Sequence, residues 1–149
     1  MKYLLLLLFI FITNCAPVGN SVGVEDEFIE FIALYSKYKK EYTGTSYIGG
    51  VSVVFHELEY PMIGACATLN GHSRGYRIYI EPNYWNNPLV TDVERELLIL
   101  HELGHCDLGY DHFDESSIME PAAIDVDLYL NNKDYFLTQF FNGSTPEKK

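Results

Sequence analysis

Basic side chains are scarce in this sequence, and their scarcity excludes one class of partner. Lysine and arginine together number 10, against 21 aspartates and glutamates, and the formal net charge is −11 over 149 residues. A domain with this excess of negative charge repels polyanions. We therefore expect neither nucleic acid nor an anionic lipid surface as a binding partner.

Long apolar runs are also lacking, and this limits how the chain meets a membrane. An uninterrupted apolar run covers residues 4–12 and follows a single lysine. It is too short to span a bilayer, but it has the length of the hydrophobic region of a signal peptide. The sequence therefore predicts export, either by a lipoprotein signal or by a plain secretory signal.

The residues around Cys15 favour the first of these alternatives. The stretch Ile12-Thr13-Asn14-Cys15 resembles the lipobox of bacterial lipoproteins, whose cysteine is acylated and becomes the mature N-terminus. This resemblance implies a signal peptide over residues 1–14, an acylated N-terminus and tether over 15–24, and a folded domain over 25–149. We expect a membrane-anchored lipoprotein of the periplasm or the cell surface, held by its acyl chains.

Cysteine is rare, with three residues in the whole chain. Cys66 and Cys106 remain after Cys15, and an even pair in an exported protein favours a disulfide. Two buried free thiols are the alternative. Zinc binding by Cys106 is disfavoured because the neighbouring His105 has a better claim to that role.

The periodicity of apolar residues predicts one α+β domain. Residues 25–42 have the three- and four-residue spacing of an amphipathic helix, and residues 48–55, 63–69 and 76–81 are typical of strands in a small mixed sheet. Another helix begins at Thr91, where Thr91 and Glu94 fit a capping box, and ends at Gly109. After it we expect a short loop over residues 125–130 and a short closing helix over 133–141.

The strongest motif is HELGH, residues 101–105, within that second helix. His101 and His105 are four residues apart, so their imidazoles project from one helix face and can bind a single zinc ion. Glu102 lies beside the first histidine and is placed to act as a general base on water. The histidines in other contexts, His56 and His72, are expected to be structural or exposed.

Together with the LGYDH that follows it and with Ser117-Ile118-Met119-Glu120-Pro121, this motif resembles the metzincin clan of zinc peptidases, and within it the matrixin pattern HExGHxLGxxH with a downstream methionine turn. The resemblance implies a zincin-like fold, a third ligand after the helix, and a methionine floor under the metal formed by Met119. The chain departs from the pattern by one additional residue before Gly109. Strict counting makes Asp111 the third ligand, whereas the relation of the glycine to the histidine makes it His112, which we favour.

The resemblance implies that the protein is a zinc metalloendopeptidase with Zn²⁺ held by His101, His105 and His112 and with Glu102 as catalytic base. Its substrate would be a peptide or protein that pairs with an edge strand ahead of the helix, for which residues 76–81 are the candidate. Two alternatives stay open. One is a surface lipoprotein that binds zinc without turnover and acts in binding or adhesion, and the other is a zinc-scavenging lipoprotein.

Overall fold

The fold was described from a computed structural model, which covers residues 23–69, 75–113, 116–121 and 124–143. The predicted signal peptide, Cys15 and nearly all of the predicted tether lie outside the described residues, as do His72 and residues 144–149. At the start of the described chain Val24 forms a parallel bridge with Val53, and the Ser52 hydroxyl donates to the Gly23 carbonyl. The described chain is thus joined to the sheet from its first residues.

The first long helix, α1 (Ile29–Thr43), follows a short 3₁₀ turn at Asp26–Phe28. Acidic residues lead this segment and lysines close it, an order that suits the helix dipole. Its buried face carries aromatic and aliphatic side chains at helical spacing, and Gly44 ends it in the left-handed conformation with φ of 79°. Both observations agree with the amphipathic pattern of the sequence.

Three strands form one mixed sheet in the order β1-β3-β2. They are β1 (Gly50–Phe55), β2 (Gly64–Thr68) and β3 (Gly75–Ile80). β3 lies in the centre, parallel to β1 with Val53 opposite Ile78, and antiparallel to β2 with Cys66 opposite the same residue. The expectation that residues 76–81 form an edge strand is therefore wrong. A strand paired on both sides has no free backbone groups for a peptide, and β1 and β2 are the outer strands.

The helix that bears the HELGH motif begins as the sequence predicts. After the short α2 (Pro82–Trp85), which the sequence did not reveal, α3 (Asp92–Leu103) is capped by Thr91 and Glu94 in a reciprocal capping box. The helix does not run regularly to Gly109. It continues instead as a π turn over Gly104–Leu108, and Gly109 then ends it with φ of 72°.

Two helices close the described chain. Residues 126–131, expected within a loop, form α4 (Val126–Asn131), and the Asp125 carboxylate caps it by accepting from the Leu128 amide at 2.8 Å. The expectation of a loop was wrong because this N-cap lets a short polar segment begin a helix. α5 (Lys133–Asn142) follows and buries four side chains, namely Phe136, Leu137, Phe140 and Phe141.

The core lies between α1, the sheet and the helices that follow the sheet. Aromatic side chains dominate it. The Phe28 ring lies 4.7 Å from both the Phe55 and the Trp85 rings, and Tyr35 packs on Phe141 at 5.5 Å between centroids. The architecture is a mixed α+β arrangement of one small sheet and several helices. Among the residues that the structure describes, no helix has both the length and the apolar character needed to cross a membrane.

Candidate metal centre

Three histidine side chains meet at one point beside the end of α3. His101 projects from the helix, His105 from the π turn one turn later, and His112 from the loop that follows Gly109. Each of the three pairs of Nε2 atoms is separated by 3.1 Å. The nitrogens thus form an equilateral triangle, with His112 exposed on the outer side.

Backbone carbonyls fix the orientation of the two helical imidazoles. Nδ1 of His101 lies 2.8 Å from the Ile118 carbonyl oxygen, and Nδ1 of His105 lies 2.6 Å from the Tyr110 carbonyl oxygen. A carbonyl oxygen only accepts, so each Nδ1 carries the proton and donates it. The lone pair is then on Nε2, which is the nitrogen that faces the centre of the triangle.

The donor set fits a divalent metal ion. Nitrogens bound to tetrahedral zinc at about 2.0–2.1 Å are separated by roughly 3.3–3.4 Å, close to the 3.1 Å found here. Burial, and secondarily the neighbouring histidines, lowers the pKa of His101 to about 4, so this ring is neutral at pH 7 and free to bind a cation. The Nε2 lone pairs of His101 and His105, which are aimed at one point, repel each other unless a cation lies between them. These histidines are close enough to hold one.

The two candidate third ligands lie in different places. His112 belongs to the cluster, whereas Asp111 lines the adjoining cavity and lies outside the three-histidine group. The additional residue in the motif is taken up by the π turn, which fits one more residue into a helical turn than an α-helix does. His112 therefore reaches the same point as His101 and His105.

Glu102 lies beside this cluster and is buried without a full set of hydrogen bonds. Its exposed fraction is 4%, and its Oε2 atom has no hydrogen-bond partner among the described residues. Desolvation raises the pKa of its carboxyl group to about 8. Gly64 of β2 makes room for it, because a Cβ at that position would overlap the Glu102 carboxylate and lie 2.9 Å from Leu98 Cδ1. No pattern in the sequence indicates this role for Gly64.

Met119, the residue predicted to form a methionine floor, packs against the start of the π turn. It is 1% exposed and packs against Gly104, where a Cβ would overlap its sulfur atom. The preceding residue, Ile118, supplies the carbonyl that accepts from His101. The Met119 carbonyl in turn accepts from the Phe113 amide at 3.0 Å, so this short segment contacts both the helix and the loop that carries the third histidine.

A cavity of about 690 Å³ opens beside the histidines and Glu102. One part of its wall is apolar and is formed by the loop before β2, by α3 and by residues 118, 121 and 124. The carboxylates of Glu94, Asp111 and Glu120 also line it. The apolar wall comprises Pro61, Met62, Ile63, Leu97, Leu98, Ile118, Pro121 and Ile124. The space is large enough for several residues of a peptide or for a comparable small molecule.

A disulfide joins β2 to the π turn. Cys66 of β2 is bonded to Cys106 of the π turn, with their Cα atoms 5.7 Å apart. Cys106 is thereby occupied and is no candidate ligand. The His56 ring packs against the Tyr79 ring in a tilted arrangement, with 4.9 Å between centroids, outside the histidine cluster.

No known protein family, curated protein or solved structure matches this chain. The function of the protein must therefore be inferred from the site itself. Its components are the histidine triangle, the neighbouring buried carboxyl group and the cavity that they share.

Proposed function

We propose that this protein is a zinc-dependent endopeptidase, and one observation carries the proposal. Three Nε2 atoms 3.1 Å apart lie beside the buried Glu102, in the same cavity. Metal-assisted hydrolysis needs these parts: a ligand set that leaves a coordination position open, and a carboxyl group close enough to transfer protons. The motif resemblance to the metzincin clan supports the same assignment.

His101, His105 and His112 would hold the metal. Zinc in such a site supplies Lewis-acid chemistry, because it polarises the scissile carbonyl and makes water more acidic. The Ile118 and Tyr110 carbonyls keep two of the imidazoles in the required tautomer and orientation. Met119 packs beneath and fills the space under the helix.

Glu102 would move the proton. An ionised Glu102 accepts a proton from the attacking water at a carboxylate oxygen and then delivers it to the nitrogen of the leaving amine. Its carboxyl pKa of about 8 in the surroundings described here is near neutral pH, where proton transfer in both directions is efficient. The Oε2 atom is consistent with this task, since no donor among the described residues holds it in one protonation state.

The edge of the sheet offers a place for an extended peptide. Gly64, Ala65 and Cys66 of β2 line the cavity, and β2 lies at the edge of the described sheet. A peptide can add to such an edge as a further strand, with its backbone held by main-chain hydrogen bonds. Its side chains would then alternate between the apolar wall and solvent.

An exported location fits the proposal. The disulfide between Cys66 and Cys106 is of the kind that persists in oxidising compartments. The lipobox-like residues at Cys15 would attach the mature chain to a membrane by acylation. The substrate would then be a peptide or protein of the periplasm or cell surface.

The test combines metal analysis with a peptide cleavage assay. We expect the purified protein to bind one zinc ion and to cleave members of a broad peptide library, and we expect Glu102→Gln to keep zinc but lose at least about 100-fold in kcat/KM. Glu59→Gln, which changes an exposed glutamate, is the control and should leave both properties unaltered. Full proteolysis by the zinc-loaded Glu102 variant would contradict the mechanism.

A second candidate is a zinc-binding lipoprotein without turnover, acting in binding or adhesion. The observation in its favour is that Glu102 is 4% exposed and holds its proton up to a pKa of about 8 in the metal-free geometry. Zinc bound with no cleavage anywhere in the library would favour it. Readily exchangeable metal with no dependence on Glu102 would favour the scavenging alternative.

A further inference from the structure

We propose that Asp107 is a positioning residue, which holds the π turn through Lys39 and Tyr35 and so delivers His112 to the metal centre. The inference rests on the metal-binding part of the proposed function and is independent of peptide hydrolysis. When the motif is aligned on Leu-Gly-x-x-His, Asp107 is the additional residue relative to the pattern HExGHxLGxxH. Its side chain is 7% exposed.

The Asp107 carboxylate is held from the side of α1. Its Oδ2 atom accepts from Lys39 Nζ and from the Tyr35 hydroxyl, both at 2.6 Å. Its Oδ1 atom accepts from the Gly49 amide at 3.4 Å, and Lys39 also donates to the Tyr47 carbonyl at 2.8 Å. The turn is thereby attached both to α1 and to the chain that enters β1.

The same turn determines where the chain leaves the helix. The Gly109 amide bonds to the Gly104 carbonyl, five residues back, and the Tyr110 amide donates to that carbonyl too, at 3.0 Å. An α-helix would instead bond residues four apart. Because an α-helical turn is the default conformation, contacts outside the turn must stabilise the wider one.

The position of the third histidine depends on this geometry. The Tyr110 carbonyl accepts from His105, and His112 follows two residues later. If the π turn relaxed to an α turn, the following chain would shift by one residue, about 1.5 Å along the axis and 100° around it. The Nε2 atom of His112 would then no longer lie 3.1 Å from the other two.

Asp107 has no place in the cavity wall, so direct contact with substrate does not explain it. A buried ion pair contributes little to net stability once the desolvation of both charges is counted, and it is best explained by the specific conformation that it selects. On the opposite side of the turn Cys106 is bonded to β2. The disulfide limits where the turn lies, and Asp107 selects its π form.

The experiment is a double-mutant cycle on the full mature chain, with Zn²⁺ affinity measured by competition with a chelating dye. We expect Asp107→Ala to weaken Zn²⁺ binding by about 10- to 100-fold, the range found when groups that orient ligands are removed. In a His112→Ala background the same change should have almost no further effect on affinity. The visible spectrum of the Co²⁺-loaded Asp107 variant should resemble that of the His112 variant.

Glu96 provides the matched control, because it is a largely buried carboxylate of the preceding α3 that also accepts from a lysine and from tyrosines. Glu96→Ala should lower the unfolding temperature as much as Asp107→Ala but leave Zn²⁺ affinity unchanged. If Asp107→Ala does not fold, Asp107→Asn replaces it in the experiment. The asparagine keeps an acceptor for Tyr35, so we expect a smaller loss of Zn²⁺ affinity. Additive effects of Asp107 and His112 on affinity would overturn the inference alone, whereas a wild-type chain that binds no Zn²⁺ would overturn the proposed function with it.

Discussion

The helical segment over residues 92–108 has two faces, and its largely buried carboxyl groups have hydrogen-bond donors on one face but not on the other. On the face toward α1, Glu96 accepts from the Tyr129 hydroxyl and from Lys133, each at 2.8 Å, and Asp107 accepts from Lys39 at 2.6 Å. On the face toward the cavity, Glu102 is as deeply buried, but its Oε2 atom has no partner among the described residues. The same helix therefore carries satisfied carboxylates on one side and an unsatisfied carboxyl group on the other.

This difference indicates that Glu96 and Asp107 stabilise the fold, whereas Glu102 is suited to proton transfer. A buried carboxylate that receives a cation and hydroxyl donors is stabilised in its ionised form, and removing it leaves those donors unpaired. A buried carboxyl group without donors favours its protonated form, as the raised pKa of Glu102 shows. Such a group lowers stability at neutral pH, so its presence beside three convergent histidines points to a functional role.

The largest effect is expected on the cavity face, from the loss of a ligand. His112→Ala should weaken Zn²⁺ binding by more than about 100-fold, since each ligand carries a sizeable share of the binding free energy. Metal analysis after dialysis against a chelator provides the measurement. Asp111→Ala is the matched control, because this neighbour lines the cavity but lies outside the histidine cluster. Zinc lost only from the aspartate variant would reverse the ligand assignment.

A smaller effect on metal binding is expected from deleting Asp107. The deletion removes a carboxylate from the face of the helical segment that contacts α1. Removing one residue from a π turn leaves a regular α turn, so His112 can return to the cluster. Combined with Lys39→Met to avoid an unpaired buried lysine, the deletion should keep Zn²⁺ affinity within about 10-fold of the wild type, closer than Asp107→Ala does. Affinity worse than that of the alanine variant would show that the turn needs its extra residue for another reason.

Local patterns predicted much of the fold and of the site. The amphipathic spacing of α1 was evident in the sequence, as was the capping box formed by Thr91 and Glu94, because both depend on contacts within a few residues. The proximity of the His101 and His105 side chains depends mainly on helical periodicity. The mixed α+β architecture followed from the order of these elements.

The remaining features depend on contacts between distant segments. Strand order is one: β3 was expected at the edge and lies in the centre, since its pairing is set by partners on both sides. The π turn is another, because its stabilising contact joins Asp107 to Lys39, 68 residues earlier. The Ile118 carbonyl that orients His101 is a backbone group, which carries no signature in the sequence.

The smallest of these effects is a change of the free energy of unfolding with pH. It distinguishes Glu102 from the carboxylates that accept hydrogen bonds from lysine and tyrosine. The folded-state pKa of Glu102 is raised from 4.5 to about 8, so the folded protein keeps a proton that the unfolded chain releases. The free energy of unfolding of the metal-free protein must therefore fall as pH rises between these values. His101, with its pKa lowered to about 4, acts in the opposite sense, but only below its unfolded value of 6.5.

Between pH 6.5 and 8 the contribution of Glu102 is thus separate from that of His101. Over this interval we expect the metal-free protein to lose about 2 kcal/mol of unfolding free energy through Glu102, at 1.36 kcal/mol for each pKa unit. Urea unfolding at a series of pH values measures it. Glu102→Gln should remove this slope because an amide has no proton to release, whereas Glu96→Gln should lower stability and leave the slope in place. An unchanged slope in the Glu102 variant would show that its carboxyl group is already ionised in the folded protein, and the contrast between the two faces of the helix would then be lost.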